Sequence, residues 1–161
     1  MKRTQKLCVL ALTVSAAMLL SFIESQIPSF TAVPGIKIGL ANIAVIFALY
    51  KFGIKEAAAV SVVRVCLVAL LFGSAVSMLY GLAGAVVSIG LMALLKRRSP
   101  LSPIGVSVAG GVAHNLGQIA VACLLLKSAA LIYYLPVLMI SGTVAGIVVG
   151  VASGILVKRL K

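Results

Sequence analysis

Aspartate is absent from this 161-residue chain, and glutamate occurs only at Glu24 and Glu56. Two scattered carboxylates cannot build the Asp-rich site that holds a diphosphate through Mg²⁺. The pattern G-x-x-x-x-G-K-[ST] is missing, so the chain does not bind ATP by a P-loop. One histidine, His114, and three cysteines, Cys8, Cys66 and Cys123, lie in separate apolar segments with no C-x-x-C pairing. No metal cluster follows from them, and the cysteines read as small apolar packers. No nucleophile–base–acid set stands out either. These absences argue against an autonomous enzyme, and neither a cofactor nor a catalytic residue is expected.

Charge is also scarce. Charged residues make up 10% of the chain and hydrophobic ones 63%, against about 25% charged in a soluble domain. No stretch is long and polar enough to fold outside a bilayer, so residues 1–161 read as one integral membrane domain. A span needs about 20 apolar residues, which leaves room for six spans with short loops. The apolar segments fall at about 7–23, 38–50, 56–72, 76–95, 104–126 and 131–157. The first follows Met1-Lys2-Arg3 as in a signal peptide, but its length and lack of an A-x-A site predict a retained helix. The expected fold is all-α with six transmembrane helices.

The net charge of +12 does not form a nucleic-acid patch, because the basic residues sit in small clusters between apolar runs. With the N-terminus inside, eleven Lys and Arg fall on inner segments, and only Lys37 and Lys127 fall outside. That bias predicts both termini, Lys51–Lys55 and Lys96–Arg98 on the cytoplasmic face of a bacterial plasma membrane. Gly142, Gly146, Gly150 and Gly154 recur every fourth residue and predict a face where another helix backbone comes close. Ala11 with Ser15, and Thr13 with Ala17, repeat the small-residue spacing on the first helix.

Few polar groups remain within the apolar runs. An ionisable group at the bilayer centre costs about 2.5–3.5 kcal/mol on insertion scales, so each needs a reason. Arg64 lies eight residues beyond Glu56, about 12 Å along a helix at roughly 1.5 Å per residue. Glu56 is too far along the axis to neutralise it and better suits the helix N-terminus. Two readings of Arg64 stand: it is satisfied by Glu24 and helix-end carbonyls, or it binds an anionic group of a ligand. His114, Asn115 and Gln118 cluster on the fifth helix, and His114 and Gln118 share a face. Lys37 and Asn42 stand where the loop after the first helix enters the second, and that loop is a candidate lid. Lys37, Arg64 and a protonated His114 outweigh Glu24, so a pocket lined by these residues favours a small amphipathic anion.

Glu24-Ser25-Gln26-Ile27-Pro28, Pro34-Gly35-Ile36-Lys37-Ile38-Gly39-Leu40-Ala41-Asn42, Arg64, Phe72-Gly73-Ser74 and Ala113-His114-Asn115-Leu116-Gly117-Gln118 together resemble the Gx transporter family. Its members are often labelled heptaprenyl diphosphate synthase component I. The resemblance covers nearly the whole chain. It implies a bundle similar to the S-components of energy-coupling factor vitamin transporters, with an outward pocket and a lid after the first helix. It also implies a separate transmembrane coupling protein and two ATPases, docked on a small-residue face of the first helix. The nearest matches to that face are Ala11 with Ser15 and Thr13 with Ala17. The function expected is uptake of a vitamin-like or isoprenoid/quinone-precursor anion. The alternatives are a non-catalytic membrane partner of a soluble polyprenyl diphosphate synthase, or a scaffold in a membrane redox or cofactor assembly.

Overall fold

A computed structural model describes residues 2–26, 39–98, 101–127 and 129–159. Six α-helices account for most of them: α1 Arg3–Gln26, α2 Asn42–Lys51, α3 Ile54–Phe72, α4 Ala75–Arg98, α5 Pro103–Leu126 and α6 Leu135–Arg159. A 3-10 turn, Ala129–Tyr134, precedes α6. The expected last segment from about 131 is therefore divided, and its α-helix starts at Leu135. Pro136 sits in the first turn of α6, where its missing N–H would have had no helical partner. No strand occurs among the described residues.

Local chemistry sets the helix ends. The Ser102 hydroxyl accepts the Gly105 N–H at 3.3 Å and Pro103 opens α5, a standard N-terminal pairing of cap and proline. Ser74 and Ser77 cap α4 reciprocally, each hydroxyl accepting the other's N–H, at 2.8 and 3.2 Å. Between α2 and α3 the chain turns at Gly53, whose φ of 122° lies where a side chain would be strained.

Four stretches are long and apolar enough to cross a bilayer: Arg3–Gln26, Ala75–Arg98, Pro103–Leu126 and Ala130–Arg159. Two of the six expected spans do not qualify. α3 has 19 residues but carries Lys55, Glu56 and Arg64. α2 has 10 residues, about 15 Å of helix against a hydrocarbon thickness of about 30 Å. α2 is instead the centre of the core: Val45, Ile46, Ala48 and Leu49 are buried against Val60, Ile89, Val106 and Val149. The large apolar residues that stay exposed, among them Leu12, Leu70, Val86, Leu124 and Ile140, form an outer surface suited to lipid.

Two pairs of contacts fix the relative direction of α1 and α3. Lys6, near the start of α1, donates to Glu56, near the start of α3. Phe22 and Phe72, near the ends of the same helices, lie 5.1 Å apart between ring centroids. α1 and α3 therefore run parallel. Glu56 meets a lysine fifty residues away as well as standing in the first turn of its own helix. The end of the bundle marked by Lys6 also holds Lys96, which donates to the Leu49 carbonyl and lies over the Tyr50 ring at 4.9 Å. Tyr50 in turn donates to the Leu101 carbonyl at 3.4 Å. Basic residues from α1, α3 and α4 thus gather at one end.

α5 packs between α4 and α6. A Cβ on Gly146 would stand 2.5 Å from the Val108 Cα, and one on Gly150 2.6 Å from the Ile104 Cα. The glycine face expected on the last helix is used for this close approach at Gly142, Gly146 and Gly150. Gly154 has only the Pro103 side chain near it, at 3.9 Å, and is not part of the tight contact.

Candidate ligand cavity

A cavity of ≈ 80 Å³ lies between the helices, with Asn42, Arg64, Ser88, Ser107, His114 and Gln118 in its wall. Glu24 and Asn115 also border it. Six of the seven residues expected at a ligand site therefore surround one space, although they come from α1, α2, α3 and α5. The seventh, Lys37, and the candidate lid lie outside the described residues. A second cavity, of ≈ 320 Å³, shares Glu24, Arg64, His114 and Gln118 with the first and extends toward Phe72, Ser74 and Ser77. These four shared residues stand where the two spaces meet.

Each wall residue is placed by its helix. Gly84 leaves room for the imidazole: a Cβ there would come within 2.7 Å of the His114 Cε1 and Nδ1. One turn away on α5, a Cβ on Gly117 would stand 2.8 Å from the Ala83 carbonyl, so α4 and α5 are nearly in backbone contact at this level. Val65 packs against Gly81, which sets Arg64 on α3 slightly farther from the lysine-rich end than His114. Asn42 begins α2, and Gly39 just before it takes a φ of 74°.

Polar partners separate these residues. The Asn115 amide donates to the Leu138 carbonyl at 2.7 Å and ties α5 to α6. The Glu24 carboxylate accepts the Gly39 N–H and fastens the entry to α2 to the end of α1. The one ion pair among the described residues joins Lys6 to Glu56, so Glu24 is not paired with Arg64. Arg64 Nε is buried and has no hydrogen-bond acceptor. The reading in which Glu24 and helix-end carbonyls satisfy Arg64 is not met at that nitrogen.

One other buried side-chain polar atom lacks a partner among the described residues, the Ser107 hydroxyl, and it lines the same cavity. Sequence reasoning missed Ser107 and Ser88. A signal existed in the spacing: Ser107, His114 and Gln118 stand seven and eleven residues apart, on one helix face.

A family model described as heptaprenyl diphosphate synthase component I matches residues 13–156. The chain belongs to that family. No curated protein matches it. The match takes in every described wall residue of the cavity, from Glu24 to Val149.

On α1 the two candidate docking pairs separate. Thr13 and Ala17 are 8% and 0% exposed, and the Thr13 hydroxyl donates to the Val9 carbonyl at 2.7 Å. That pair is consumed by packing within the chain. Ala11 and Ser15 lie on the outer face.

Proposed function

We propose that this member of the heptaprenyl diphosphate synthase component I family is the substrate-binding membrane subunit of an ATP-driven uptake transporter for a small organic anion. The observation that carries the reading is the unpartnered, buried Nε of Arg64 in the wall of a cavity. A guanidinium N–H kept in an apolar bundle without an acceptor is costly unless an anion completes it. Its planar fork suits a carboxylate or phosphate. Gln118 and His114 stand beside it where the two cavities meet.

In this reading the lysine-rich end faces the cytoplasm, which agrees with the charge bias of the sequence. The parallel course of α1 and α3 supports a six-traverse path, in which the chain returns across the membrane between them and α2 lies on the inner half. The wider cavity then opens toward the outside. A coupling protein and ATPases supply the energy, and the exposed Ala11–Ser15 face of α1 is the docking surface.

The family's description favours a second reading, a non-catalytic membrane component of a heptaprenyl diphosphate synthase. That role is compatible with a chain that lacks aspartate. It predicts copurification with a soluble prenyl synthase instead of ligand capture. Native mass spectrometry of the purified protein separates the two. A retained small anion, lost in Arg64→Ala, supports the transporter subunit. A bare chain that copurifies with a prenyl synthase replaces it.

A further inference from the structure

Ser107 is 3% exposed, and its hydroxyl meets no acceptor or donor. Among the described residues it is the one hydroxyl oxygen that is fully buried without a partner. The hydroxyls of Thr13, Ser15, Thr143 and Ser153 each donate back to a carbonyl of their own helix, three or four residues earlier. Back-bonding of this kind is the ordinary way a helix absorbs a hydroxyl in apolar surroundings. Ser107 does not use it, and it borders the cavity.

The other polar groups stand above it in a column. From Ser107 to His114 is seven residues of α5, about 10 Å, and to Gln118 eleven residues, about 16 Å. Ser88 on α4 lies between Ser107 and His114, because a Cβ on Gly110 would be 3.2 Å from its hydroxyl oxygen. Met92 closes in on the same glycine, with its Sδ 2.6 Å from that Cβ position. The cavity is therefore polar along its length: Arg64, His114 and Gln118 above, Ser88 midway and Ser107 below.

Building on the anion-site reading, we infer that the ligand is two-ended: a slender anion whose charged group meets Arg64 and whose far end offers a hydrogen-bonding group to Ser107. An isoprenoid chain fits this space badly. Its hydrocarbon tail would face Ser107 with no group able to donate or accept a hydrogen bond. The distance from Arg64 to Ser107 then selects a ligand by length, since a short anion leaves Ser107 unserved.

A matched pair of probes tests this: octanoate, and 8-hydroxyoctanoate, which adds one hydroxyl at the far end of the same chain. Binding is followed by titration calorimetry on the wild-type protein, Ser107→Ala and Arg64→Ala. The wild type should bind 8-hydroxyoctanoate about tenfold more tightly than octanoate, as one buried hydrogen bond gained. Ser107→Ala should erase that difference, leaving the two probes with equal affinity. Both probes should lose affinity in Arg64→Ala. Equal affinities in the wild type, with Arg64 still required, mean that a water serves Ser107; the two-ended ligand is then overturned while the anion site stands. Affinities that ignore Arg64, or an absence of binding by both probes, remove the anion site and this inference together. Folding of Ser107→Ala and Arg64→Ala is checked by thermal unfolding in detergent.

Discussion

The carboxylate of Glu24, at the C-terminal end of α1, accepts the backbone N–H of Gly39 at the threshold of α2. This contact places the negative charge nearest to Arg64 while spending it on the backbone. Gly39 needs its left-handed φ of 74° to turn into α2, and a Cβ there would press on the Asn42 amide at 3.2 Å. The anchor and the candidate ligand site are therefore one construction.

Glu24 lends itself to a charge test. Glu24→Gln keeps an oxygen that can accept from Gly39 but removes a negative charge from the cavity wall. Anion affinity should rise, by up to about tenfold if the effective dielectric resembles that near a protein surface. Glu24→Ala should instead lower thermal stability, through loss of a charge-assisted bond of about 1.5–3 kcal/mol. Affinity and melting temperature, measured together, separate the two effects. Weaker binding by a fully stable Glu24→Gln protein would place the ligand's positive or donor group, not its anion, at this wall.

Packing of α6 gives a graded set. Gly146→Leu and Gly150→Leu should each destabilise strongly, because the new side chain meets α5 backbone at 2.5 and 2.6 Å from its first carbon. Gly154→Leu should be tolerated far better, with its nearest neighbour at 3.9 Å. Thermal unfolding in detergent reads all three. An equal loss at the three positions would contradict the register of α5 on α6.

Much of this arrangement could be read before any coordinates. Apolar runs located all six helices, although only four stretches are long and apolar enough to cross a bilayer. Arg64, His114 and Gln118 stood out because a polar group in such a run demands a partner. Ser107 did not stand out, because serine is common in apolar helices and usually bonds to its own backbone. The pairing of Lys6 with Glu56 was invisible for another reason: fifty residues separate them, and only the parallel packing of α1 and α3 joins them. α2 was visibly short in sequence, but its burial depends on helices that follow it in the chain.

Topology follows from where the cations collect. A cysteine at Arg98, in a background without Cys8, Cys66 and Cys123, should resist an impermeant reagent in intact cells and react after lysis. A cysteine at Ser29 should react from outside. Labelling of position 98 in intact cells would contradict the proposed orientation.

Docking on α1 has a directional prediction. Ala11→Trp with Ser15→Trp adds bulk to an exposed face, so ligand binding should persist while copurification with a coupling protein and ATP-dependent uptake are lost. Thr13→Trp should unfold the protein instead, because Thr13 is buried. Normal uptake by the Ala11/Ser15 double variant would move the docking surface elsewhere.

The most direct test compares ligand affinity in the wild type, Arg64→Lys and Arg64→Ala, using the molecule that the wild-type protein retains on purification. Arg64→Ala should stay folded and bind at least about a hundredfold more weakly, through loss of charge-assisted bonds of about 1.5–3 kcal/mol each. Arg64→Lys should fall between, keeping the charge without the fork. A folded Arg64→Ala protein that binds with wild-type affinity would contradict the account.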